Sequence, residues 1–148
     1  QSEGLAQNAG IILIAVGIND LIHWDKAEAP VDLSHPVRER IWGQILTTAK
    51  RLAPHVLVLS VLPVNEQKFP VYDENGRSFY QCNADTDDYN ALIAKLCTAH
   101  NVAFADMSAG LAGVDWPTLL HDYVHPNAAG YKLLAELVFV HLKQQGWI

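Results

Sequence analysis

The chain has no cluster of basic residues. Ten Lys and Arg stand against sixteen Asp and Glu, for a net charge of −6 and a pI near 5.5. That balance excludes the electropositive surface on which nucleic-acid binding rests. The four basic residues from Arg38 to Arg51 are spread along one helical stretch and read as a solvated face. Cysteine is scarce as well. Cys82 and Cys97 lack CxxC spacing, which excludes a paired-cysteine metal or redox motif. Cys97 falls on the apolar stripe of a helix and reads as core, with a Cys82–Cys97 bridge left open. No apolar run reaches the ~18 residues that span a bilayer. Glycine-rich phosphate loops are missing, which removes kinase and dinucleotide chemistry. There is no Gly-x-Ser-x-Gly elbow either.

Half of the 148 residues are hydrophobic and 18% are charged, the balance of a globular chain. The length predicts a single domain over 1–148 with a real core. Residues 1 to 9 read as a helix tail or loop. Ile11 to Val16 is a continuous β-branched apolar run, as in a strand buried on both faces. A loop over 17–35 follows. Pro36 opens a helix to about Leu52, with Val37, Ile41, Ile45, Ala49 and Leu52 on its apolar face. Val56 to Leu62 is a second buried strand. In the connection over 63–84, Asn75-Gly76 between apolar residues signals a small hairpin flap. Asp85 or Thr86 caps a helix to about His100, and Val102 to Ala105 is a third strand. The last helix runs from about Asn127 to Gln145 on Tyr131, Leu134, Val138 and Leu142. This alternation predicts an α/β fold with a parallel sheet.

In open parallel sheets, ligands bind at the carboxyl ends of the strands. The loop after the first strand carries Gly17-Ile18-Asn19-Asp20. The loop after the third carries Asp122 and His125, just before the last helix. A carboxylate three residues from a histidine can hold one ring nitrogen and free the other to take a proton. An Asn beside a Gly at a strand end can aim an amide donor into the crevice, as an oxyanion hole needs. Singly, these residues suit turns and caps equally well. Their convergence on one sheet edge favours catalysis.

Val16-Gly17-Ile18-Asn19-Asp20 resembles the Gly-x-Asn-Asp block of the SGNH (GDSL) hydrolases. Asp122-Tyr123-Val124-His125-Pro126-Asn127, followed by Gly130-Tyr131, resembles their Asp-x-x-His-Pro block. Leu62-Pro63 and Tyr89-Asn90 are similar to family positions too, so the resemblance runs from Ile11 to the end. It implies a flavodoxin-like three-layer α/β/α sandwich hydrolysing esters or thioesters. By that resemblance Asn19 donates to the oxyanion, Gly17 keeps the backbone close, His125 is the base and Asp122 orients it. No metal or organic cofactor is implied.

One block of the family's pattern has no counterpart. The chain contains no Gly-Asp-Ser, where the family carries its nucleophile, and no second oxyanion glycine after the second strand. In that alignment Gln1 falls just before the family's third strand. A strand–helix–strand unit is therefore expected outside the chain: upstream, on a second chain, or replaced by a swapped homodimer. Without it, Ile11 to Val16 would be a bare apolar edge. Right-handed crossovers would put the helices over 36–52 and 86–100 on one face, leaving the other to the last helix. Ser2, Ser34, Ser60, Ser78 and Ser108 have no nucleophile context, and Ser60 reads as core. The leading expectation is a serine-type esterase or acylhydrolase for small-acyl or lipid esters, with its nucleophile supplied elsewhere. The rival is a non-catalytic SGNH-derived binding or assembly module. The absent Gly-Asp-Ser favours the rival; the retained Asn19, Asp122 and His125 favour the enzyme. His23, Asp25 and His35 crowd one loop and read as solvated residues. Trp24, Tyr72, Phe79 and Trp116 are candidate pocket walls.

Overall fold

A computed structural model describes residues 9–148. The helix tail or loop expected over 1–9 lies, apart from Ala9, outside the described residues. In chain order the elements are β1 (Ile11–Ile14), β2 (His23–Trp24), α1 (His35–Leu52), β3 (His55–Leu59) and β4 (Val71–Tyr72). Then come β5 (Ser78–Tyr80), α2 (Asn83–Ala99), β6 (Ala103–Ala105) and α3 (Ala128–Gln144).

β1, β3 and β6 form a parallel sheet in the order β1-β3-β6, with Ile12 opposite Val56 and Val58 opposite Phe104. Alternate residues of β3 serve opposite faces. Val56 and Val58 pack with Trp42 and Leu46 of α1 and with Ile93 and Cys97 of α2. Leu57 packs with Ala105, Met107 and the α3 residues Leu134, Leu137 and Val138. The mixed α/β fold of the sequence reading is thus observed, with α1 and α2 on one face and, among the described residues, α3 alone on the other. Among the described residues β1 is an edge strand, and its Leu13 is 47% exposed.

The buried stripe of α1 is rotated from the expected one. Arg38, Trp42, Leu46 and Ala49 are buried, because the indole of Trp42 donates to the Tyr89 hydroxyl at 2.8 Å and draws that side inward. Ile41, Ile45 and Leu52 instead flank an open groove with Ile12. Nor is Arg38 solvated. Its Nη2 donates to the Asp20 carbonyl at 3.1 Å, and its guanidinium lies 5.3 Å from the Tyr89 ring centre. The α2 helix begins at Asn83, two residues ahead of the expected cap. Long-range partners take over that end: the Asn83 amide donates to Glu66 at 2.6 Å, and the Asn83 side chain accepts from Val64 N at 2.8 Å. On α3, Tyr131 is 58% exposed rather than inward. The first turn there faces inward through Gly130, where any Cβ would stand 2.5 Å from the Leu119 carbonyl.

The Asn75-Gly76 hairpin is present, with Val71 opposite Phe79 and Tyr72 opposite Ser78. Asp73 accepts from the amides of Asn75 and Arg77 at the turn. The loop expected over 17–35 is partly structured. Its two-residue strand β2 pairs with β5, making a second sheet in the order β2-β5-β4. Among the described residues no helix is long and apolar enough to cross a membrane.

Candidate active site

Asp122 and His125 meet as their spacing suggests. The loop is pinched by an isolated bridge between Leu120 and Pro126, and His121 N donates to His125 O at 2.7 Å. Beyond it, Asn127 caps α3, accepting from the amides of Ala129 and Gly130. Asp122 Oδ1 accepts from the amides of Val124 at 2.8 Å and His125 at 2.7 Å. Oδ2 faces His125 Nδ1 at 2.8 Å. An ionised carboxylate only accepts, so Nδ1 carries the proton and Nε2 is left with its lone pair. The His125 side chain is 66% exposed, leaving Nε2 reachable.

Burial pushes the Asp122 carboxyl upward, but the amides of His125 and Val124 and the His125 ring outweigh it and hold the group at about 2. A lowered folded-state value gives stability that is present above the ordinary carboxylate range and lost as pH falls towards that lower value. Asp122 is a third exposed, so solvent screening limits the contribution to about 1 kcal/mol. The stability gap between the wild type and Asp122→Asn should be constant above about pH 5 and close between about pH 4 and 2. Urea midpoints measured across that range check this.

His125 and Val124 line a cavity of about 160 Å³ at the carboxyl ends of β1 and β3, walled by Ala15, Val16, Ile18, Ser60, Val61 and Leu62. The Gly17–Asp20 turn borders it. Gly17 has φ +126°, and an added Cβ would sit 2.5 Å from the Tyr89 ring and hydroxyl. Asp20 Oδ2 accepts from the Tyr89 hydroxyl at 2.7 Å, and Gln81 Nε2 donates to the Ile18 carbonyl at 2.7 Å. With Arg38 on the Asp20 carbonyl, the turn is braced from three sides. Asn19 is exposed on this turn, one residue past the cavity-lining Ile18 and not itself a wall.

Two residues that shape this site, Arg38 and Gln81, carry no motif of their own; both brace the turn, and Arg38, beside Glu39 and Arg40, reads in sequence as one of several surface charges. Asn90 clasps Val61, accepting from its amide at 2.8 Å and donating to its carbonyl at 2.9 Å. That fixes the end of β3 at the cavity. Ser60 also borders the cavity, but it is 4% exposed and its Oγ accepts from Met107 N at 2.9 Å. It serves the core, as its sequence context indicated.

The candidate aromatic walls do not line the cavity. Trp24 packs edge-on against Phe79, Tyr72 is 65% exposed, and Trp116 is buried, donating to the Pro63 carbonyl. Phe69, Phe79 and Tyr123 form an edge-to-face cluster behind the histidine loop. Of the crowded loop residues, Asp25 pairs with Arg77 at 3.0 Å and His35 is exposed, whereas His23 is buried against the solvated reading.

The molecule is an α/β protein whose parallel sheet carries a carboxylate–imidazole pair at its carboxyl edge. The chain belongs to the GDSL-like lipase/acylhydrolase family, whose model matches residues 2–133. No curated protein sequence matches it significantly. Similar solved structures include Axe2, an acetylxylan esterase from Geobacillus stearothermophilus, at 20% identity and TM-score 0.64, covering 90% of this chain and 59% of that one. LAE5, an α/β hydrolase from the metagenome of Lake Arreo in Spain, matches at 18% identity and TM-score 0.63 with the same coverage. The chain thus spans about three-fifths of the length of these neighbours. Catalytic mutants of Axe2 alter a serine, an aspartate and a histidine, the last two three positions apart.

Proposed function

We propose that this chain carries the base and oxyanion half of a serine ester hydrolase for small acyl esters. The observation that carries the reading is the Asp122–His125 pair, with a free Nε2 opening on an apolar cavity at the carboxyl sheet edge. His125 Nε2 takes the proton of an attacking serine and returns it to the leaving alcohol. Asp122 holds the ring in the tautomer that allows this. The developing oxyanion is met by Asn19, presented on a turn that Tyr89, Arg38 and Gln81 keep rigid.

The serine is supplied from outside these 148 residues. In support, Ser60, the serine that borders the cavity, is 4% exposed and its Oγ is engaged with Met107 N. The groove between Ile12 and the outer flank of α1, with its Ile41 and Ile45, is an apolar seat beside an edge strand where such a unit can pack. The cavity size favours a short acyl group such as acetyl, the group released by the acetylxylan esterase neighbours.

Replacing Asn19 with Ala in the serine-containing protein should lower kcat on a p-nitrophenyl ester by about 100–1000-fold, with KM little changed. Fluorophosphonate labelling tests the larger reading. The 148-residue chain should take no adduct, and the serine-containing protein should take one that His125→Ala abolishes. A His125-dependent adduct on a serine of this chain would overturn it. Absence of any adduct on the folded longer protein would instead support a non-catalytic binding module, which the missing Gly-Asp-Ser favours.

A further inference from the structure

A second cluster of chemical groups lies away from the Asp122–His125 pair. His23 is on β2, Cys82 caps α2, and Asp85 is in the first turn of that helix. His23 Nε2 is 2.6 Å from Asp85 Oδ2, and Cys82 Sγ is 2.8 Å from the same oxygen. The three ligand atoms all lie within 4.8 Å of one another. They come from segments about sixty residues apart, joined only because β2 pairs with β5.

The orientation of His23 is informative. Its Nδ1 faces the Ala29 carbonyl, which can only accept. Nδ1 is held by that carbonyl, and Nε2 is aimed at Asp85 Oδ2. The Cys82 thiol is aimed at that same oxygen, so imidazole nitrogen, thiol sulfur and carboxylate oxygen converge on one point. A cation placed between Nε2, Oδ2 and Sγ would take all three as ligands in place of the protons they now share. Metal-bound histidines show this pattern: one ring N–H on a backbone carbonyl, the other nitrogen on the ion.

We propose that His23 Nε2, Cys82 Sγ and Asp85 Oδ2 form a binding site for a divalent transition-metal cation of the zinc type. One thiolate, one imidazole and one carboxylate suit zinc and cobalt over magnesium or calcium. Ligands of a tetrahedral zinc stand about 3.5 Å apart, so the present contacts must open by about 1 Å. Asp85, 31% exposed, is free to give way. The fourth position is left to water. Binding releases the thiol proton to solvent, leaving a thiolate on the metal. Thiolate and carboxylate together carry a charge of minus two, which a divalent ion neutralises. The ion would tie β2 to the start of α2. Gln81, next to Cys82, already holds Ile18, so the tie extends to the turn that carries Asn19.

Cobalt(II) titrated into the full 148-residue chain tests the site. The expected result is a sulfur-to-cobalt charge-transfer band together with tetrahedral d–d bands, both displaced by zinc. Cys82→Ser should abolish the charge-transfer band, Cys97→Ser should leave it, and Asp85→Asn should weaken binding about tenfold or more. Zinc at a hundredfold excess over its dissociation constant should raise Tm by about 5–10 °C in the wild type and not in Cys82→Ser. Circular dichroism confirms that the variants fold. A folded wild type with no charge-transfer band, or d–d bands alone from surface histidines, overturns the proposal. So does a band that survives Cys82→Ser.

Discussion

Replacing His125 with alanine in the serine-containing protein is expected to lower kcat on a p-nitrophenyl ester by ~10⁴-fold or more, with KM little changed. In the proposed mechanism the histidine acts on a proton in flight and contributes little to holding the ground-state ester, so the loss falls on kcat. His125 is exposed and its ring bonds only to Asp122 among the described residues. The variant should therefore keep its fold, and its Tm should move by about 2 °C or less. Steady-state kinetics and a thermal melt on the same preparation check both halves. Activity within tenfold of wild type would remove His125 from the mechanism.

Gly17→Ala should be the most damaging small substitution in the turn. Its φ of +126° is glycine territory, and the new methyl would stand 2.5 Å from the phenol of Tyr89. Tyr89 cannot step aside, because its hydroxyl accepts from Trp42 and donates to Asp20. The strain and the clash together should cost about 3 kcal/mol, lowering the urea midpoint by about 1–2 M. Tyr89→Leu in the Gly17→Ala background separates the two. It relieves the clash but leaves the backbone strain, so the rescue should be partial.

The turn also shows what the sequence could and could not disclose. The Asp122–His125 contact and the Gly17 turn were readable because each motif is local and its spacing dictates its geometry. A carboxylate three residues before a histidine, ahead of a Pro and an Asn cap, closes on itself without help from the rest of the chain. The parallel sheet was equally readable, since Val56–Val58 and Ile11–Ile14 are continuous apolar, β-branched runs; only the first is buried on both faces, and β1 leaves Leu13 exposed at the edge. What stayed hidden depends on long-range pairing. Two residues of β2 carry no strand signal until β5 lies beside them. Arg38 reads as one more surface cation until Tyr89 and Asp20 take it inward. The face of α1 was ambiguous because two apolar stripes run side by side, and only the Trp42–Tyr89 hydrogen bond decides between them. His23 reads as solvated until the flap covers it.

The two oxygens of Asp122 work in different currencies. One is spent on main-chain amides and dictates a shape; the other addresses an imidazole and dictates a protonation state. Asparagine at this position can keep the first role with its carbonyl oxygen while presenting an amide N–H to the ring. Such a protein would hold the loop in place and leave the same Nε2 outward, now carrying the ring proton. Architecture and protonation state are therefore separable here by a single atom, so the loop can survive intact as scaffold with the ring in the other tautomer.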